Sequence, residues 1–212
     1  MDRITALNIR RNNDMSTDEN EDIFCVPGME FNPTKLREAY TQAVENIGFS
    51  QGIVNCISVT RCHDGTASTR GVFWTRDENY KEIQIEKPVK ESKHTKIEEN
   101  LRGTYFEEII KKLSARYTLG RVRILKLDSR SSLSYHRDPE LRIHIPIVTN
   151  PGALVVVKNF ATHLPADGSA YIVNTKKYHT AINGGNEPRV HLVASVINTI
   201  EDDELYAVYG GD

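Results

Sequence analysis

The chain has 212 residues, enough for one domain with a sizeable core. Its formal net charge is −2, from 27 Lys and Arg against 29 Asp and Glu, so no global basic field points toward nucleic acid. No apolar run is long enough to span a bilayer, and the polar, charged residues 1–22 do not have the make-up of a secretory signal.

Residues 1–22 read as a flexible N-terminal arm with little to bury. A helix should follow, capped by Asn32, with Pro33 at its first position and Gly48 at its end. Leu36, Tyr40, Ala43, Val44 and Ile47 would form its apolar face. Residues 53–60, 71–76 and 83–87 have strand character. Residues 79–100 are rich in Lys and Glu, a mostly solvated stretch and a candidate flap. A second helix should start at Thr104, with Thr104 and Glu107 as a capping box, and close at Gly120. Its stripe is Phe106, Ile109, Ile110, Leu113 and Tyr117.

From Arg121 onward, short apolar runs recur at 122–127, 141–148, 153–157, 170–173, 178–182 and 190–197. Turn residues separate them, and no helical pattern intervenes. The fold class expected is mainly β with flanking α: a jelly-roll, cupin-like barrel with N-terminal helices. The domain reading is one domain over 23–212, with an α/β extension over 23–120 and the barrel over 121–200.

Three cysteines, Cys25, Cys56 and Cys62, are too few for a disulfide scaffold and point to a reducing, cytoplasmic setting. Cys56, Cys62 and His63 lack both finger spacing and a fourth zinc ligand.

Polar residues in the C-terminal half carry the chemistry. Side chains alternate across a strand. Arg142 and His144 therefore share one face of their strand, and Arg189 and His191 one face of theirs, with apolar residues opposite. These could be the wet faces of ordinary strands. Solvated faces favour Lys, Glu and Thr over repeated Arg-x-His, so a polar pocket inside a barrel explains them better. His136 and Asp138 lie two apart and can point to one side of an extended segment, with His179 on a later strand. Two histidines and a carboxylate are the donor set of a non-haem Fe(II) site. Asp138 beside Pro139 could instead be a turn or capping residue, and His144 and His191 hydrogen-bonded core histidines. His63, His94 and His163 fall outside the pattern and belong on the surface or in loops. Arg70, Trp74 and Arg76 flank a strand and could reach a pocket mouth; a packed Trp74 with exposed arginines is the plainer account.

The segments "YHRD", "LRIHIPIVTN", "YHTAIN" and "RVHLVASV" resemble the aspartyl/asparaginyl β-hydroxylase-like group of Fe(II)/2-oxoglutarate oxygenases, which includes hydroxylases of free proline. The resemblance runs from about Arg121 to Val196, roughly a third of the chain. It implies a double-stranded β-helix, with Fe(II) held by His136, Asp138 and His179, and 2-oxoglutarate and O₂ as cosubstrates. It implies Arg189 on the distal carboxylate of 2-oxoglutarate, Arg142 and His144 near its metal-bound end or on a substrate carboxylate, and Asn183 in support. His191, Arg70 and Trp74 remain candidates for substrate or supporting contacts. Some members that act on protein domains lack the carboxylate at the Asp138 position; this chain has it.

The activity so implied is hydroxylation of a free amino acid or small derivative, with succinate and CO₂ as coproducts. The partner expected is a small molecule, with no nucleic acid and no membrane. Two alternatives stand beside it. One is hydroxylation of Asp, Asn or another residue in a peptide or protein. The other is a non-catalytic cupin-type module binding a metal or small acid.

Overall fold

The computed structural model describes residues 22–50 and 55–197. Residues 1–21 of the expected arm and the last residues, 198–212, lie outside them. Asp22, assigned to the arm from sequence, is buried and accepts from Lys177 Nζ at 2.7 Å and from Asn174 Nδ2 at 2.9 Å.

In chain order the strands are β1 Ile23–Glu30, β2 Asn55–Ser58, β3 Thr60–Arg61, β4 Phe73–Arg76, β5 Glu82–Ile85, β6 Lys96–Ile97, β7 Leu119–Leu127 and β8 Ser131–Ser132. There follow β9 His136–Arg137, β10 Leu141–Val148, β11 Ala153–Val157, β12 Phe160–His163, β13 Ser169–Val173, β14 His179–Asn183 and β15 Arg189–Val196. Helix α1 spans Pro33–Asn46 and α2 spans Tyr105–Ser114. Two antiparallel sheets dominate. The larger in residues has six mostly long strands, β1-β13-β10-β15-β7-β2; the smaller has seven short ones, β12-β11-β14-β9-β4-β5, with β8 on β14. Strands before residue 121 thus complete both sheets, and the chain has the double-stranded β-helix expected of it.

The central strands of the larger sheet, β7, β10 and β15, are buried on both faces. Val122, Ile124, Ile143, Ile145, Val190 and Leu192 form one face, which packs in a single core with Leu36, Ala39 and Ala43 of α1 and Phe106, Ile109 and Leu113 of α2. A smaller core of Ile23, Val155, Val157, Leu164 and Val173 lies between the sheets. Much of the rest of that interior is polar, with Val193 and Leu127 among the arginines and histidines.

Both helices begin where the caps fall, but details differ from expectation. Asn32 Oδ1 accepts from the Thr34 and Lys35 amides at 3.0 and 3.1 Å. Ala39 takes the buried position, while Val44 and Ile47 are exposed. The capping box of α2 does not form. Thr104 Oγ1 donates to Leu101 O, and Glu107 accepts from the Gly103 amide instead of from Thr104. Gly120 does not close α2, which ends at Ser114. It sits in β7, where a Cβ would come within 2.5 Å of Glu91 Oε2.

That contact belongs to residues 79–100, of which 79–84 are exposed as expected while the later part is anchored. Glu91, His94 and Glu98 in this stretch are buried. Glu91 Oε1 accepts from Arg121 Nε at 2.7 Å and Oε2 from the Arg121 amide at 2.7 Å. His94, expected on the surface or in a loop, lies in a loop but is 2 % exposed, with Cys62 Sγ 3.5 Å from its Nε2. His163 lies in β12 with Nδ1 3.0 Å from Ala153 O.

Candidate metal centre and anion pocket

Pairing in the smaller sheet brings the metal-type residues together. His136 on β9 stands opposite His179 on β14, so their side chains leave the sheet on the same side. The ring centroids are 4.4 Å apart. Asp138 follows on the loop to β10, fixed by its amide, which donates to Thr175 O at 2.8 Å. All three residues are buried, and one donor atom from each lies within 4.8 Å of the others.

The rings are oriented by the chain itself. His136 Nδ1 donates to Ser134 O at 2.7 Å, and His179 Nδ1 donates to Lys177 O at 3.0 Å. A carbonyl only accepts, so each Nδ1 carries the proton and each Nε2 presents its lone pair, the arrangement usual for metal-bound imidazoles. The Nε2 atoms lie 3.9 and 3.4 Å from the oxygens of Asp138. Charged N–H···O bonds are ~2.7–2.9 Å. Asp138 Oδ2 is fully buried without a hydrogen-bond partner. A buried carboxylate oxygen left unpaired between two imidazole lone pairs fits a divalent cation.

Electrostatics favour the same state. Burial would raise the Asp138 pKa, but Arg142, then His179 and His136, overcome it and hold the carboxyl below its usual range. Arg142 Nη2 lies 2.9 Å from Asp138 Oδ1 and 3.3 Å from Glu140 Oε1. Burial, aided by Glu91, pushes Glu140 up to about 7. Desolvation lowers the His136 pKa, which keeps its imidazole neutral.

Next along the inward face of the larger sheet is a cation without an anion. Arg189 is 3 % exposed, and burial lowers its pKa to about 10. Its Nη2 donates to His191 Nδ1 at 2.8 Å. Among the described residues no carboxylate pairs with it. Since Arg189 can only donate, His191 Nδ1 accepts and its Nε2 carries the proton. His144 Nδ1 lies 3.3 Å from His191 Nδ1, and the Nε2 of each histidine is buried without a partner. Desolvation first, then Arg189, drives both pKa values well below the ordinary range, so both rings are neutral.

Asn183 is fully buried and engaged with backbone. Its Nδ2 donates to Asp128 O at 3.0 Å and Glu187 O at 2.8 Å, which ties the end of β14 to the turn that delivers Arg189. Arg70 pairs with Glu86 at 3.1 Å, and half of its side chain is exposed. Trp74 stands opposite Arg137, whose guanidinium sits 4.4 Å from the ring, so both point away from His136. Phe73 instead faces that histidine edge-on at 5.2 Å. Sequence reasoning missed Glu140, Phe73 and the inward pair Arg121 and Arg123. The pair had a readable signal: Arg121-Val-Arg123 is the same alternation as Arg-x-His.

The profile of the aspartyl/asparaginyl beta-hydroxylase family matches residues 88–199, just over half of the chain. The match reaches further upstream than the resemblance read from sequence. Among solved structures, the chain is similar to a prolyl hydroxylase from Trichoplax adhaerens in complex with a hypoxia inducible factor peptide fragment. Identity is 8 %, 87 % of each chain is covered, and the TM-score is 0.51, a likeness of fold. It also matches a 2OG-Fe(II) oxygenase family oxidoreductase from Burkholderia pseudomallei, at 13 % identity over 82 % of this chain and 83 % of that one, TM-score 0.48. A viral collagen prolyl hydroxylase from Paramecium Bursaria Chlorella virus-1 matches at 7 % identity over 84 % and 96 %, TM-score 0.46. No curated protein matches the chain.

Proposed function

The chain belongs to the aspartyl/asparaginyl β-hydroxylase family of 2-oxoglutarate- and Fe(II)-dependent hydroxylases, and from that premise we propose that it hydroxylates a free amino acid or small amino-acid derivative. The observation that carries this reading is the buried His136–Asp138–His179 donor set beside Arg189, a buried guanidinium with no acidic partner among the described residues. In this reading His136 Nε2, His179 Nε2 and an Asp138 oxygen hold Fe(II). Arg189 receives the distal carboxylate of 2-oxoglutarate, whose planar group a guanidinium fork matches in two hydrogen bonds.

When bound, Fe(II) with 2-oxoglutarate and O₂ supplies an oxidant able to replace a substrate C–H by C–OH, while 2-oxoglutarate leaves as succinate and CO₂. The protein's own residues prepare that chemistry. The Ser134 and Lys177 carbonyls hold the two rings with Nε2 free. Arg142 keeps Asp138 ionised and orients it. His191 Nδ1 holds the Arg189 guanidinium in place, and its Nε2–H is available to an acceptor. Phe73 covers His136 and helps exclude water. A carboxylate at position 138 leaves no vacant ligand position there for halide, which supports hydroxylation over halogenation.

The burial of all three donor residues supports a small substrate over a peptide. Anaerobic addition of Fe(II) and 2-oxoglutarate to the apo-protein should give a visible metal-to-ligand charge-transfer band, and His179→Ala should remove it. A folded, metal-loaded wild type without a band would leave a metal- or acid-binding barrel as the better account.

A further inference from the structure

A second buried cation on the inward face is not used by the reading above. Arg123 on β7 is 5 % exposed. Its Nη1 donates to Thr69 O at 2.8 Å, while Nε and Nη2 are buried without a partner. Arg121, two residues earlier on the same face, differs sharply: its Nε and Nη2 both meet Glu91. No described carboxylate pairs with Arg123. Burial, with Arg121 and Arg142 adding repulsion, lowers its pKa to about 10.

The register shows where Arg123 points. Tyr171, His144, Val193, Arg123 and Ser58 form one row across β13, β10, β15, β7 and β2. Val122 and Ile124, its neighbours on β7, belong to the core under the helices, so Arg123 faces the barrel interior. Ser58, its direct cross-strand partner, also has a buried hydroxyl without a hydrogen-bond partner. An unpaired guanidinium edge and an unpaired hydroxyl thus stand side by side on the inward face, in the row that holds His144.

Arg189 stands at another level of the sheet. Arg189 and the Val193 row of Arg123 are four residues apart on β15, about 13 Å at strand rise. A clamp on the Thr69 carbonyl uses one of the guanidinium donors and does not account for the buried Nε–Nη2 edge.

We propose that Arg123, through Nε and Nη2, and Ser58, through Oγ, form the subsite for the substrate's carboxylate. The inference rests on the hydroxylase reading and deepens it: the substrate is a small acid, held by its carboxylate away from the 2-oxoglutarate site. A fork of two N–H groups with a hydroxyl beside it satisfies a carboxylate, and the ligand supplies the charge the folded protein lacks.

The test uses the full chain loaded anaerobically with Fe(II) and 2-oxoglutarate. Each of the twenty common L-amino acids is titrated against the charge-transfer band, and any that perturbs it is compared with its carboxamide. At least one amino acid should perturb the band and its carboxamide should not. In Arg123→Met the response should weaken by more than about tenfold. The band itself and the affinity for 2-oxoglutarate should stay as in wild type. Arg123→Met should also melt at or above the wild-type temperature, because it removes an uncompensated buried charge. A melting temperature lower by several degrees would make Arg123 a clamp of the fold and overturn the proposal. So would an undiminished response in Arg123→Met, an equal response to the carboxamide, or a wild type that answers to none of the twenty. Absence of the band in wild type would instead sink the hydroxylase reading, and the melting comparison would still separate subsite from clamp.

Discussion

On the helix side of the larger sheet, Val122, Ile124, Ile143, Ile145, Val190 and Leu192 meet α1 and α2 with 1 % exposure or less. One residue along the same strands, the inward side carries Arg121, Arg123, Arg142, His144, Arg189 and His191. Both faces are buried, yet they are finished differently. The helix side is filled by side chains of the protein. The inward side keeps polar atoms without partners: Arg123 Nε and Nη2, Arg142 Nε, His144 Nε2, His191 Nε2 and, from the loop after β9, Asp138 Oδ2. Each such atom opposes folding, and native interiors hold few of them. The contrast separates a face that secures the fold from one that, under the proposed function, a metal and acids would complete.

If that division is right, inward substitutions should change ligand binding more than stability. Arg189→Met is the most demanding case. It should weaken 2-oxoglutarate binding by about 10²-fold or more, since it removes a desolvated, charge-assisted contact. Iron affinity and melting temperature should not fall, because the guanidinium has no acidic partner among the described residues to lose. Titration of 2-oxoglutarate against the charge-transfer band, alongside thermal melts, measures both; unchanged cosubstrate affinity would remove Arg189 from the anion site.

Glu91→Ala sharpens the comparison from Arg121, an inward cation that the protein itself neutralises away from the donor set. It strands Arg121 and should cost about 3–5 kcal/mol of stability. Burial alone would raise the Glu91 pKa, but Arg121 reverses the effect and holds it below the ordinary 4.5. The ion pair therefore contributes fully above pH 4.5, and its contribution is lost as pH falls through the folded value. The melting difference between wild type and Glu91→Ala should be widest near neutrality and close in acid. A difference constant from pH 7 to pH 3 would show that the pair is not the source.

Much of this division was legible from sequence, and the gaps have physical causes. Period-two alternation placed Arg142, His144, Arg189 and His191 on their faces, because long strands repeat it enough times to be read. The strand containing Pro27 and Gly28 was not recognised: its pairing with β13 shifts register between Cys25 and Glu30, and the pattern breaks there. β8 and β9 have two residues each, too few for any period. Glu91 looked like one solvated acid in a charged stretch; only the distant partner Arg121 makes its burial tolerable. Thr104 offered the right capping residue, but its hydroxyl found Leu101 O, a local alternative that composition does not reveal.

Helix-side substitutions should do the reverse of Arg189→Met. Ile124→Ala opens a cavity against the helices and should cost about 2–5 kcal/mol. The affinity of the folded fraction for 2-oxoglutarate should stay the same. A large drop in that affinity with little loss of stability would mean that the two faces are coupled, and that the inward geometry depends on how tightly the helices pack.

The smallest effect is expected on the smaller sheet, where the same alternation leaves one side outside the chamber. Trp74 and Arg137 leave β4 and β9 on the side opposite His136, and Arg137 also grips Glu82 through two contacts at 2.8 and 2.5 Å. The stack ties the β4–β5 hairpin to the strand that carries His136 without touching the donor atoms. Trp74→Ala should therefore cost on the order of 1 kcal/mol, the size of a partly exposed cation–π contact. The charge-transfer band and 2-oxoglutarate affinity should be retained, whereas Phe73→Ala, on the inward side of the same strand, should alter the band by admitting water beside His136. A Trp74→Ala protein that melts like wild type but no longer responds to amino acids would move Trp74 into the substrate path and bring the outer side of this sheet into the site.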